Sequence, residues 1–208
     1  MPPSYEVNMN RLNIINKAFL KLSGSPVANL SDQDNRVVSI LAIYDSVRNT
    51  EQTSYRWTFC TKRFLLEKVT EEVEGEVVDV SPAFEYKYTY NLPLKFLRLI
   101  HIYGHGQLDY VIEGTKLLTN HEGPLKIVAL CIEEEEEKFP PAFVEVFATK
   151  LAIELCPRIQ QDTSIKAELW KEYFQALSIA KKTDAIQRAV EYVPDGEWVN
   201  IRRTEIVR

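Results

Sequence analysis

One stretch of the chain, residues 139–180, limits the possible folds more than any other. It opens with Phe-Pro-Pro, and apolar side chains then recur at every fourth position: Phe143, Phe147, Leu151 and Leu155. This spacing places them on one face of an α-helix. Pro141 suits the first helical position, where its missing N–H costs no hydrogen bond. Pro157 is expected to end or kink this helix near Cys156.

A second helical pattern follows within the same stretch. Its apolar stripe consists of Ile165, Leu169, Tyr173, Leu177 and Ala180, widened by Trp170 and Phe174. Asp162 or Ser164 is expected to cap its start, since both side chains can accept from free backbone N–H groups. Two apolar-faced helices joined by a short turn indicate an antiparallel pair.

The N-terminal part of the chain shows two more helical patterns. Residues 10–22 carry apolar side chains on one side and are stopped by Gly24 and Pro26. A second helix is expected to start at Ser31, with Asp34 three residues later as in a capping box, and to run to about Thr50. Its apolar stripe consists of Val37, Ile40, Leu41, Tyr44 and Val47.

Between these helices the apolar period changes from about four to two. Aromatic and apolar residues alternate strictly with polar ones at Phe84, Tyr86, Tyr88, Tyr90 and Leu92. Such alternation is typical of a half-buried strand, and Pro93 closes it. Residues 96–103 are the next expected strand. Three shorter candidates follow at 108–113, 115–118 and 125–132.

The order of elements is helix, helix, five or six strands, helix, helix. It predicts an α+β fold in which a helical bundle formed by the N- and C-terminal helices carries an inserted small antiparallel β subdomain. The bundle comprises residues 1–58 and 139–190, the β subdomain residues 59–138, and the C-terminal tail residues 191–208. The candidates for sheet core or interface are Phe84, Tyr86, Tyr88 and Tyr90. A base-stacking platform is less favoured because Lys87 alone interleaves them with positive charge.

Composition narrows the range of partners. The 208 residues carry a net charge of −5, which does not favour binding of nucleic acid by the bulk surface. No apolar run is long enough to span a bilayer. The cysteines are odd in number and far apart, so Cys60, Cys131 and Cys156 are expected to be reduced, buried thiols.

Motifs for catalysis or cofactor binding are missing from the sequence. There is no Gly-rich phosphate loop, nucleophile elbow or zinc-protease motif. His101 and His105 lack a carboxylate or cysteine at ligand spacing. The five consecutive glutamates starting at Glu133 are more typical of a solvated charge run than of a cation site. No catalytic residue, metal site or cofactor is therefore predicted, which favours a structural or adaptor protein over an enzyme.

Four short features in a fixed order resemble the tail tubular protein A family, the head-to-tail adaptors of short-tailed bacteriophages. The first is residues 12–22, followed by Gly24, and the second is Tyr-Arg-Trp-Thr-Phe-Cys at 55–60. The third is the aromatic strand with Leu-Pro and Leu-Arg steps at 86–99. The fourth is Phe-Pro-Pro-Ala-Phe at 139–143, ahead of the long helix and a Gly-x-Trp tail. The glutamate run and the Tyr-rich strand look particular to this chain.

The resemblance implies a virion structural protein without enzymatic activity. Members of the family assemble as a dodecameric ring beneath the portal protein after DNA packaging, and a tail tubular protein B-like nozzle docks below. The ring connects portal to nozzle and lines the DNA exit channel, through which DNA passes without specific binding. Such a protein would be assembled in the host cytoplasm and located in the virion tail.

Two groups of residues become candidate contact sites under this interpretation. A tail with an aromatic anchor and two guanidinium groups is expected to bind the portal; it contains Trp198, Arg202 and Arg203. An acidic segment is expected to face the channel or an adjacent subunit, since acidic walls repel phosphate; it comprises Glu133, Glu134, Glu135, Glu136 and Glu137.

Two other functions stay open. One is another phage connector or head-completion protein. The less favoured one is a cell-wall or nucleic-acid-processing enzyme, which would need two carboxylates converging on a cleft.

Overall fold

Helices and antiparallel strands both form as the sequence predicts in the computed structural model, which describes residues 10–22, 24–31, 34–73, 76–104, 108–159 and 163–188. The helices are α1 (Arg11–Lys21), α2 (Asn35–Ser54), α3 (Pro141–Ile159) and α4 (Thr163–Ile186). The strands are β1 (Thr61–Leu66), β2 (Thr70–Val73), β3 (Glu76–Asp79), β4 (Tyr88–Asn91), β5 (Phe96–Tyr103), β6 (Tyr110–Glu113), β7 (Lys116–Thr119) and β8 (Leu125–Cys131). The α+β fold class is confirmed.

Helix α3 lies at the centre of the bundle. It contacts α1, α2 and α4, so helices from both ends of the chain pack on it. The predicted stripe is fully buried, with Phe143, Phe147, Leu151 and Leu155 at most 1% exposed. Val144, Ala148 and Ala152 on other faces are buried as well. A helix that is apolar on most of its faces belongs inside a bundle, which explains the position of α3.

Two predicted helix ends are wrong, the start of α2 at Ser31 and the stop of α3 at Pro157. The cap of α2 is Asp34, whose carboxylate accepts the Arg36 N–H at 2.8 Å, whereas the Ser31 hydroxyl donates to Asn29 within a local turn. Helix α3 continues through Pro157 to Ile159. Only two residues follow Pro157, so its missing N–H removes one hydrogen bond from the last turn and leaves the others intact. Helix α4 extends past Ala180 to Ile186.

The strands form three antiparallel sheets in the described part of the chain. Two are three-stranded, in the orders β1-β8-β5 and β4-β7-β6, and β2 pairs with β3 as a hairpin. The predicted strands at 96–103, 115–118 and 125–132 match β5, β7 and β8 closely. The prediction of five or six strands missed the β2–β3 hairpin, whose short, acidic strands show little alternation.

The sheet β1-β8-β5 lies between two apolar cores. On one side Leu130, Leu97 and Ile100 pack into the helical core. On the other side Leu66, Ile127 and Ala129 pack into a second core, to which Tyr90 and Leu117 of the β4-β7-β6 sheet contribute. This sheet therefore attaches the β subdomain to the bundle. The predicted boundary at 58/59 falls in the turn before β1, and the boundary at 138/139 falls just before α3.

The cysteines behave as the sequence predicts. All three are buried thiols, and burial raises the pKa of Cys60 to about 12. Burial also raises the pKa of Cys131. Thiols of this kind ionise little near neutral pH, which makes them poor nucleophiles and metal ligands.

A buried carboxyl group joins α2 to α4. Glu51 is 2% exposed and accepts a 3.0 Å hydrogen bond from the Tyr173 hydroxyl. Burial raises the pKa of Glu51 above its ordinary value of 4.5, although the Tyr173 hydrogen bond and the charges of Lys150 and Lys181 oppose the rise. The folded chain therefore holds this proton more tightly than the unfolded chain, and the free energy of unfolding falls as pH rises through the raised pKa.

Replacing this carboxyl by an amide should remove the pH-dependent cost. We expect Glu51→Gln to raise the free energy of unfolding at pH 8 by about 1 kcal/mol, or about 2–4 °C in Tm, because the amide oxygen still accepts from Tyr173. The gain should vanish at pH 4, where the wild-type carboxyl is protonated. Thermal unfolding followed by circular dichroism at both pH values measures this. Glu168→Gln, at an exposed position of α4, should change neither value. Equal wild-type and Glu51→Gln Tm values at pH 8 would contradict the prediction.

Candidate functional site

The aromatic candidates divide into buried and exposed side chains. Tyr90 is fully buried, and its hydroxyl lies 2.9 Å and 2.8 Å from the carbonyl oxygens of His121 and Gly123. Tyr86 is 8% exposed, and Tyr88 is half-buried. Phe84 is 79% exposed. The assignment to a sheet core therefore fits Tyr90, and Tyr88 packs against the same core. Tyr86 is buried outside the strand, whereas Phe84 is available only for an interface.

The predicted strand from Phe84 to Leu92 is wrong in its first half. Strand β4 begins only at Tyr88, and Glu85 takes a left-handed conformation with φ of 72°. A residue with positive φ turns the chain and cannot continue a pleated strand. The alternation at Phe84 and Tyr86 therefore reflects a turn that buries one aromatic side chain and exposes the other.

The acidic segment, Glu133–Glu137, starts inside the protein. Glu133 is 5% exposed, and its carboxylate pairs with Lys62 at 3.1 Å and with Lys138 at 3.6 Å. Burial opposes ionisation of Glu133, but the Lys62 hydrogen bond and the nearby positive charge bring its pKa below the ordinary value. Its carboxylate is thus buried and paired within the chain.

The other four residues of the acidic segment are half-buried or exposed. Glu136 is half-buried and accepts from Arg11 at 3.0 Å. Glu134 is exposed and pairs with Lys95, which lowers the pKa of Glu134. Glu135 pairs with Lys138 at 2.8 Å, and Glu137 is exposed. Glu134, Glu135 and Glu137 are the exposed members of the segment, and that they face a channel or an adjacent subunit stays a prediction.

A buried amide clamp, which the sequence did not reveal, holds the start of the acidic segment. Gln52 of α2 is fully buried. Its Nε2 donates to the Glu133 carbonyl oxygen at 2.8 Å, and its Oε1 accepts the Glu133 N–H at 2.9 Å. The side chain thus continues the hydrogen bonding of β8 beyond its last residue. The only sequence signal was the helical spacing of Gln52 from Tyr44.

A second polar joint fixes the end of α4 to the turn before β1. Asp184 is 6% exposed and accepts from the Thr58 backbone N–H at 2.8 Å and the Thr58 hydroxyl at 2.7 Å. The Arg188 guanidinium pairs with the same carboxylate at 2.6 Å and lies over the Tyr55 ring at 4.8 Å. This joint holds the end of α4 against the turn before β1. The portal candidates Trp198, Arg202 and Arg203 lie outside the described residues.

Large apolar side chains are also exposed beside a cleft and on α4. Leu94 is 92% exposed beside an open cleft of about 440 Å³ formed by residues 91–96 with Gly114 and Thr115. Phe174 and Ile179 of α4 are each 61% exposed. Such residues are typical of surfaces that another chain covers.

The described residues show few features typical of a catalytic or metal-binding site. They contain no group of three or more His, Cys, Asp and Glu residues placed to hold a metal ion. His101 lies against Tyr103, with ring centroids 4.6 Å apart. None of the described helices combines the length and apolar character needed to cross a bilayer. No protein-family model matches the chain, and no curated protein matches it.

Proposed function

We propose that this protein is a ring subunit of the head-to-tail adaptor of a short-tailed bacteriophage, a structural protein that joins the portal to the tail nozzle. The observation that carries the proposal is the joint order of the four features that resemble the tail tubular protein A family. The α+β architecture, with a bundle built from both chain ends, is the one that the resemblance implies.

The positions of these features in the fold support the proposal. The second and fourth features pack on each other: the Trp57 and Phe143 rings lie 5.1 Å apart, and Phe59 and Phe139 lie 5.7 Å apart. The first feature forms most of α1, which packs on α3. The third feature supplies Tyr90 and Leu92 to the second core. The four resembling segments thus contribute to the helical core or the second core, and a shared fold would require similar residues there.

The charge of the chain suits a channel through which DNA moves. A ring of a dozen chains, each with a net charge of −5, would carry roughly −60 formal charges. Glu134, Glu135 and Glu137 are exposed, so they can face either the channel or the neighbouring subunit. Phosphate would be repelled and DNA would slide without specific contacts. In the same proposal Trp198, Arg202 and Arg203 anchor the ring to the portal.

Reconstitution with cognate portal rings tests the proposal. We expect the full chain to add a closed ring beneath the portal in negative-stain electron microscopy, and a chain truncated after Pro194 to keep its circular dichroism spectrum but lose portal binding. A Lys182→Ala variant, changed at an exposed position of α4, serves as a binding control. Failure of the full chain to bind portal would overturn the function. A truncated chain that still binds would remove only the role of the tail, and a head-completion protein would be indicated by a different ring stoichiometry.

A further inference from the structure

One face of the β1-β8-β5 sheet is covered by the helices at only one end. Directly opposite residues on antiparallel strands share a face, as do alternate residues along each strand. Leu130 of β8 points into the helical core, so Val128 and Lys126 lie on the same face farther along the strand. The strand register places Arg63 and His101 beside Val128, and Leu65 and Tyr103 beside Lys126.

The far end of this face is open. Leu65 is 57% exposed and Tyr103 is 49% exposed, and Arg63, His101 and Lys126 are exposed as well. A β-bulge between Leu99 and His101 lets Ile100 stay in the helical core while His101 reaches the surface. We call the five residues Arg63, Leu65, His101, Tyr103 and Lys126 the basic face.

The positive charge of the basic face is not neutralised by the described residues. No Asp or Glu occupies either of its two rows. No ion pair or hydrogen bond within the described ranges engages the side chains of Arg63 or Lys126. Most other cations near the sheet are paired: Lys62 with Glu133, Lys68 with Asp79, and Lys95 with Glu134. A cationic face next to exposed Leu and Tyr side chains therefore calls for a partner that offers carboxylates.

The same strand leads to such carboxylates at its opposite end. From Lys126 to Cys131, β8 spans about 17 Å, and the exposed Glu134, Glu135 and Glu137 lie beyond Cys131. The Lys126 side chain cannot bridge this distance. Arg63 lies nearer, opposite Val128, but forms no ion pair with the described carboxylates. The subunit therefore carries positive charge near one end of β8 and negative charge beyond the other end. The pairs of Glu134 with Lys95 and of Glu135 with Lys138 are exposed and therefore weak, so these carboxylates can exchange partners.

We propose that the basic face docks on the exposed carboxylates Glu134, Glu135 and Glu137 of a second copy of this chain. The contact is head-to-tail: each copy uses its basic face on one neighbour and its acidic segment on the other. Such heterologous contacts close into rings or extend as filaments. Leu65 and Tyr103 supply the apolar part of the contact, and the charges fix its register. The inference rests on the proposed function only in taking the ring to be made of this chain alone.

Charge reversal on each side, separately and together, tests the docking. We expect the wild type to self-associate in sedimentation velocity at low salt. Arg63→Glu with Lys126→Glu should raise the dissociation constant about tenfold or more, and so should Glu135→Lys with Glu137→Lys. The chain carrying all four changes should recover association, because both faces have exchanged sign. Association should also weaken as salt shortens the Debye length from ~10 Å at 0.1 M to ~3 Å at 1 M.

A matched control separates a specific contact from net charge. Lys87→Glu with Lys116→Glu alters net charge as much as the basic-face variant does, at exposed positions elsewhere in the β subdomain, and should leave association unchanged. A monomeric wild type, or association that the basic-face variant leaves intact, would overturn the docking. So would a DNA duplex that binds the wild type and is released by the basic-face variant. If these faces mediate association but the chain ignores portal rings, the docking stands and the adaptor function fails. If rings still form on the portal when either face is reversed, the adaptor function stands and the docking fails.

Discussion

Replacing Phe143 with alanine is expected to lower the free energy of unfolding by about 3–5 kcal/mol, the range for truncating a buried phenylalanine. Phe143 is fully buried in α3. Its ring centroid lies 4.8 Å from Phe59, 5.1 Å from Trp57 and 5.4 Å from Phe139. These residues come from two segments, 57–59 and 139–143, that meet beside β1, so the neighbours of the cavity cannot collapse without moving the sheet.

Urea unfolding followed by circular dichroism measures this loss. Phe174→Ala removes the same side chain from an exposed site of α4 that is 61% open to solvent, and it should cost less than about 1 kcal/mol. A Phe143→Ala variant with stability within about 1 kcal/mol of the wild type would mean that the aromatic cluster does not hold sheet and bundle together. Because two of the four resembling features meet at Phe143, the variant also shows whether those features are structural.

The helices could be predicted because each buries a continuous stripe. Fourfold spacing alone located α3 and most of α4, and Phe143 and Leu151 are buried as expected. The errors arose where local chemistry allowed two answers. Ser31 and Asp34 could each cap a helix, and the choice depended on an Asn29 contact with Ser31 that the capping pattern does not reveal. Pro157 indicated a helix end, but α3 continues for two more residues, to Ile159.

The strand errors have a different physical origin. In the sequence, Phe84 and Tyr86 alternate with polar residues just as Tyr88 and Tyr90 do. The first two nevertheless lie in a turn beside the sheet and the last two in a strand. Only the left-handed backbone of Glu85 separates the two cases, and an acidic residue in that conformation leaves no clear sequence signal. Phe84 stays a candidate for an interface, but it does not lie in the sheet.

The acidic segment shows a difference in burial that the sequence alone cannot reveal. Five identical residues look equivalent in sequence, yet Glu133 is buried, Glu136 is half-buried and Glu137 is exposed. The difference comes from partners on distant elements, such as Lys62 on β1 and Arg11 on α1. The basic face was equally hidden, because its five residues come from three strands and meet only through the register of β1, β8 and β5.

Gln52→Leu is expected to lower the free energy of unfolding by about 2–4 kcal/mol, the second large effect. Leucine has nearly the same volume as glutamine, so the core stays filled. The change nevertheless leaves the buried N–H and carbonyl groups of Glu133 without the partners that now lie at 2.9 Å and 2.8 Å. Each unsatisfied buried group costs about 1–3 kcal/mol. The loss should be concentrated where β8 passes into the acidic segment.

Two measurements together distinguish this clamp from ordinary core packing. Urea unfolding gives the global loss, and amide hydrogen exchange of a peptide covering residues 130–138 should show faster exchange at Glu133 than in wild type. Gln175→Leu, an identical substitution at an exposed position of α4, should change stability by less than about 0.5 kcal/mol. If Gln52→Leu unfolds like the wild type and protection at Glu133 is unchanged, another group satisfies the Glu133 backbone. The position of Glu134, Glu135 and Glu137 would then not depend on α2. If protection is lost while the bundle remains folded, the clamp alone positions the carboxylates that the neighbouring subunit is proposed to bind.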